Sequence, residues 1–159
     1  MQVLKLGTIV TDKVTDLDGM LTIMSYDMDK NINYLFQPAG LNPKTHEPLD
    51  TFWVTEKRII NAIKSTVELP FEILDTQVTD KATGYKGTVI SLYYYINGCV
   101  HVEVKPKGVI EETGESIKAR EFDIRRLKGD AIKELDEEEL EVSKKKAPSP
   151  EARPSMDRR

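Results

Sequence analysis

Thr11-Asp12-Lys13-Val14-Thr15 returns 68 residues later as Thr79-Asp80-Lys81-Ala82-Thr83, and the rest of the chain is read outward from this echo. At the same offset Leu6–Ile59 aligns with Leu74–Leu127 without a gap. The flanking identities are Leu6/Leu74, Thr8/Thr76, Val10/Val78 and Gly19/Gly87. Farther on come Tyr26/Tyr94, Pro38/Pro106, Gly40/Gly108, Thr45/Thr113, Glu47/Glu115 and Arg58/Arg126. Fourteen of 54 aligned positions are identical, and a single register held that long reads as tandem duplication.

Each unit has the composition of short strands. Leu6–Val10 and Leu74–Val78 open with alternating patterns, and Thr83-Gly84-Tyr85-Lys86-Gly87 is turn chemistry. The β-branched and aromatic run Thr88–Ile96 then meets Asn97-Gly98, which predicts a hairpin with a type I′ turn. On the returning strand, Val100, Val102 and Val104 share one face, and Cys99, His101 and Glu103 the other. Ile32, Tyr34 and Phe36 hold the three valine positions in the first unit, so that face is the expected core. Asp29-Lys30-Asn31 stands where the second unit has its Asn-Gly turn. Pro38–Pro48 and Pro106–Ser116 read as loops, and a final strand carries Phe52/Val54 or Phe122/Ile124. The expected fold is mainly β, two small SH3- or KOW-like barrels in tandem that bury a shared interface.

The organisation that follows is β repeat 1 at 1–60, a linker at 61–73, β repeat 2 at 74–128, an acidic helix at 129–143 and an extended tail at 144–159. Ile59, Ile60 and Ile63 have helical spacing, which predicts a short linker helix ended by Pro70. Ile132, Leu135 and Leu140 line one side of the C-terminal helix, with the acidic run Asp136–Glu139 on the other. Pro148, Pro150 and Pro154 keep the tail extended.

The whole chain has 159 residues, 23 Lys plus Arg against 27 Asp plus Glu, and a net charge of −4, so no dominant basic footprint for nucleic acid is present. The single cysteine, Cys99, excludes an internal disulfide framework and fits a reducing compartment or a virion. No stretch approaches the roughly 18 apolar residues of a membrane span. Met1–Lys5 enters strand pattern without a signal peptide's apolar core.

Asp80–Gly87, Tyr95-Ile96-Asn97-Gly98-Cys99-Val100 and Phe122-Asp123-Ile124-Arg125-Arg126-Leu127 together resemble a family of short phage and prophage proteins. Its pattern is near D-K-V-T-G-[FY]-x-G, Y-L-N-G-C-[VI] and W-F-D-E-x-R-L. The second unit matches well. The first departs at Asp16, where the pattern has glycine, and at Asp29-Lys30-Asn31 for the hairpin, and Trp53–Ile59 matches the last motif loosely. The resemblance covers both repeats but not the tail. It implies phage origin, a place in the virion or host cytoplasm, and no catalytic residues.

Cys99 and His101 share a strand face, but no orienting third group accompanies them, and the first unit places Asn31 and Asn33 there. With His46 in a distant loop they fall short of a structural zinc site. Asp16-Leu17-Asp18-Gly19 is superficially similar to a calcium loop, yet Val14 occupies the first ligand position. Catalytic residues, metal ligands and cofactors are therefore expected to be none.

Nucleic-acid binding would draw on Lys81, Lys86, Lys105, Lys107, Arg120, Arg125 and Arg126 beside Tyr85, Tyr93 and Tyr95. Residues 1–127 carry 15 positive against 18 negative side chains, which disfavours it. The expected partner is protein, through phage assembly or self-association. The residues expected at that contact are Lys81, Tyr85, Tyr93 and Tyr95, with Lys144, Lys145, Lys146, Arg153, Arg158 and Arg159 on a docking tail. The alternative from another class is an anti-defence protein that sequesters a host nucleotide signal in a pocket between repeats or protomers.

Overall fold

Alternation of buried and partly exposed side chains runs through the longest strands and places one face of each against an apolar interior. The computed structural model describes residues 1–132. Its strands are β1 (Gln2–Leu4), β2 (Ile9–Asp12), β3 (Leu17–Asp27), β4 (Ile32–Pro38), β5 (Phe52–Thr55) and β6 (Ile59–Ile60) in the first part of the chain. They continue as β7 (Lys64–Thr66), β8 (Gln77–Asp80), β9 (Lys86–Tyr95), β10 (Val100–Lys105), β11 (Arg120–Asp123) and β12 (Leu127–Lys128). Among the described residues the helical segments are three single 3-10 turns, Glu56–Arg58, Phe71–Ile73 and Ile124–Arg126. The fold is mainly β.

Hydrogen bonding orders the first half as β6-β2-β3-β4-β5 and the second as β12-β8-β9-β10-β11. Neither ladder closes. β5 pairs only with β4, and β11 only with β10, so the expected closed barrels are instead open sheets. The terminal strands are four residues (β5, β11) and two residues (β6, β12) long, too short to carry a closing ladder, and a 3-10 turn carries the chain across the gap.

The halves are joined through β3 and β9, which pair antiparallel from Ile23↔Tyr95 to Asp27↔Ser91 with Ser25↔Tyr93 at the centre. Exchanging every residue for the one 68 positions away returns the same ladder, so the contact has the self-complementary register of a two-fold interface. The register shift within β3 at Leu21/Ile23 leaves Thr22 unpaired, and its carbonyl accepts the Ile96 N–H of the other half. The shift on the β9–β10 ladder leaves Ile90, whose carbonyl accepts the Met28 N–H. Such bulges bend a strand, which lets β3 and β9 each serve two partners on one side. Tyr26 packs on the second half's core, and Tyr94 on the first half's.

The first core is built on Leu21, Met24, Tyr34, Phe36 and Val54, and the second on Val89, Leu92, Val102, Val104 and Leu127. Arg120 and Phe122 lie opposite Val104 and Val102, and Ile124 opens the 3-10 turn rather than continuing the strand as its pattern suggested.

Two further expectations are corrected. The linker does not form a helix: Lys64–Thr66 pairs with β1 in a small two-stranded sheet, and Pro70 precedes the 3-10 turn Phe71–Ile73. The edge of β1 offered non-local hydrogen bonds that outweigh weak helical spacing. In the β9–β10 hairpin, left-handed backbone is confined to Gly98 (φ +85°), whose N–H closes on the Tyr95 carbonyl, so the loop is a turn followed by a left-handed residue. Lys30 (φ +64°) fills that left-handed place between β3 and β4. Of the acidic helix expected at 129–143, the described residues Gly129–Ile132 form turn and bend rather than helix, and the rest of it and the tail lie outside the described residues.

Candidate functional site

The echoed motif is a folding staple. Asp12 and Asp80 end β2 and β8 and are buried, 0% and 1% exposed. Thr15 Oγ1 donates to Asp12 Oδ2 at 2.7 Å, and the Arg58 Nε donates to Oδ1 at 2.9 Å while its Nη2 meets Oδ2. Thr83 likewise donates to Asp80, and Arg126 Nε and Nη2 reach its two oxygens at 3.0 and 2.8 Å. Each arginine thus ties the start of a half to its end across 46 residues. The guanidinium is the main cause that holds Asp12 well below the usual carboxylate range and Asp80 at about 2. These groups are consumed by the fold, so Arg126 leaves the pool of free cations.

Six strands in the order β5-β4-β3-β9-β10-β11 form a continuous run that crosses the junction of the halves. Opposite the cores, its outer face is written in cross-strand rows. One row reads Thr55–Asn33–Ser25–Tyr93–His101–Asp123. A neighbouring row reads Trp53–Leu35–Ile23–Tyr95, and on the other side Asp27–Ser91–Glu103–Glu121. Sequence reading picked out Tyr93 and Tyr95 from this face but not Trp53, Glu103, Glu121 or Asp123, which only strand pairing gathers.

Trp53, 45% exposed, lies 6.3 Å from Tyr93 between ring centroids. The Tyr93 hydroxyl donates to Glu103 Oε2 at 3.1 Å, and the Tyr95 hydroxyl to Glu121 Oε1 at 2.6 Å. The same Glu121 oxygen lies 2.7 Å from His101 Nδ1, and the His101 ring sits 4.7 Å from that of Tyr95. Burial first, then the carboxylate beside it, pushes each phenol up to about 12, so both remain donors throughout the neutral range. Asp123 is gripped by Arg125, which lowers it to about 2. The face can therefore offer aromatic surface and oriented carboxylates.

The other residues expected at the partner contact lie elsewhere. Tyr85 packs on Phe122 at 5.3 Å, and its hydroxyl donates to the Lys118 carbonyl at 2.9 Å. Lys81 turns toward the Arg125 carbonyl at 3.5 Å. Lys144, Lys145, Lys146, Arg153, Arg158 and Arg159 lie outside the described residues. Cys99 sits half-buried beside the hairpin turn, while the His101 imidazole is engaged by Glu121. Among the described residues no group of three or more His, Cys, Asp or Glu could hold a metal ion, and no helix is long and apolar enough to cross a membrane.

No protein-family model matches this chain, and neither a curated protein nor a solved structure matches it.

Proposed function

We propose that this chain is a non-catalytic bacteriophage interaction protein, made of two tandem SH3-like units, whose partner surface is the outer face of the six-strand run. The observation that carries the reading is that face itself, where Trp53, Leu35, Ile23, Tyr93 and Tyr95 form an aromatic and aliphatic band beside Glu103, Glu121 and Asp123. An exposed tryptophan with tyrosines and a charged rim is the composition of protein-binding surfaces.

The duplication is supported by elements that recur 68 residues apart, including the paired 3-10 turns and the two Asp–Arg staples. The unit order, with a 3-10 turn before the last strand, supports the SH3-like reading. Phage origin rests on the motif resemblance, and a docking role for the basic tail on its composition. Phosphates are poorly served by the three central rows, which hold four carboxylates and no lysine or arginine; the lysines of this face, Lys86 and Lys105, lie further along β9 and β10.

The test is recovery of tagged chain with virions or with a partner from infected cells. Leu35→Glu combined with Trp53→Glu should leave the thermal transition in place and abolish recovery. Undiminished recovery would overturn the outer-face reading.

A further inference from the structure

The two ends of the outer face differ in charge, and the difference names a partner chemistry. At positions 68 apart, Leu35, Trp53, Thr55 and Asn33 correspond to Glu103, Glu121, Asp123 and His101. The first half's end is therefore neutral, and the second half's end is acidic. Arg125, on the adjoining turn, is already gripped by Asp123 through Nε at 3.0 Å and through Nη2, and Lys105, two residues from Glu103 on the same side of β10, forms no ion pair with that glutamate. Glu103 and Glu121 are left without a lysine or arginine partner among the described residues.

Resting on the interaction-surface reading above, we propose that the second half's end of this face docks an arginine-bearing segment of a partner protein. One guanidinium lies against the Tyr93 and Tyr95 rings between Glu103 and Glu121, and the segment's apolar residues extend over Ile23, Leu35 and Trp53. A carboxylate offers about four lone-pair directions. Glu121 uses one oxygen for Tyr95 and His101, and Glu103 uses one for Tyr93, so each keeps an oxygen for an incoming donor. Glu121 is also reachable, with 42% of its side chain exposed. The phenol donors hold these carboxylates in place before a ligand arrives, which lowers the ordering cost of binding. A guanidinium suits the site better than an ammonium because it is planar, donates as a fork and stacks on aromatic rings.

Trp53 is the chain's single tryptophan, so intrinsic fluorescence reads this face directly. The experiment titrates the full chain with a nine-residue oligoarginine peptide, and in parallel with oligoglutamate and a single-stranded oligonucleotide. Oligoarginine should give a saturable change that salt weakens, while the other two give none. Glu103→Gln with Glu121→Gln should weaken that binding by about tenfold or more, since it removes two charge-assisted contacts. Glu138→Gln with Glu139→Gln, in the acidic C-terminal run, should leave it unchanged.

The proposal falls if oligoarginine produces no saturable change, if the Glu103/Glu121 variant binds as the parent does, or if the oligonucleotide binds instead. It also falls if oligoarginine binds only to a chain ended at Lys146, since the chain's own tail would then be the occupant. Loss of oligoarginine binding alongside continued dependence of partner recovery on Leu35 and Trp53 would reject the arginine chemistry and leave the surface standing.

Discussion

The inner faces of the two halves are interchangeable in character, and the outer faces are not. Inside, Leu21/Val89, Met24/Leu92, Tyr34/Val102, Phe36/Val104 and Ile59/Leu127 exchange one apolar side chain for another at matched positions. The volumes are redistributed rather than copied. The first core carries its aromatics on β4, where the Tyr34 hydroxyl accepts the Leu4 N–H at 3.0 Å, and the second draws on Tyr85, Phe71 and Phe122. An interior asks for apolar volume at the right positions and tolerates many ways of filling it. Outside, the same positions pair Leu35 with Glu103 and Trp53 with Glu121. Solvent-facing positions are free of packing demands, so they can diverge toward different contacts.

The comparison breaks most sharply at Val104. Val104→Asp places a charge without a partner in the second core and should cost about 4 kcal/mol or more, enough to lose the second half's cooperative transition. Leu35, the first half's counterpart of Glu103, sets the contrast: it is half-buried on the outer face, so Leu35→Glu, which installs the second half's own residue, should cost about 1 kcal/mol and leave the cooperative transition intact. Thermal unfolding by near-ultraviolet circular dichroism checks both.

The staples come next. Asp12→Asn and Asp80→Asn each leave an arginine without its carboxylate and should cost about 3 kcal/mol. The Asp12 variant should be the worse of the two, because its arginine side chain is 31% exposed against 49% for Arg126. Both carboxyls are held below the usual range in the folded chain, so their contribution is full above the unfolded-state value of about 4 and is lost as pH falls through the folded values. Urea midpoints should therefore drop steeply from about pH 4 to pH 2, and Asp80→Asn should flatten that drop. An unchanged acid profile in the variant would show that the staples do not govern it.

A smaller difference lies in the hairpins. Lys30 holds the left-handed position that Gly98 occupies in the second half, so Lys30→Gly should raise stability by about 1 kcal/mol. Smallest of all, Cys99→Ser should change stability by less than about 0.5 kcal/mol, because the thiol is half-buried beside a turn.

What could be read from the residues alone is local. The 68-residue offset, the alternating valines of β10, the turn at Asn97-Gly98 and the core face Ile32–Phe36 are all written in periods of two and in turn chemistry, which need no knowledge of distant partners. The duplicated Asp and Arg were visible as identities, yet their meaning was not, because the two ends of each staple are 46 residues apart and only strand order brings them together. The linker's strand is illegible in sequence for the same reason, since three isoleucines at helical spacing say nothing of the β1 edge waiting beside them. Openness of the ladders, the self-complementary β3–β9 contact and the gathering of Trp53, Tyr93, Tyr95, Glu103 and Glu121 on one face were likewise decided by tertiary pairing. A residue's own pattern determines which side of its strand it lies on, whereas its neighbours on that side come from other strands, and their register is set by long-range hydrogen bonding and core packing.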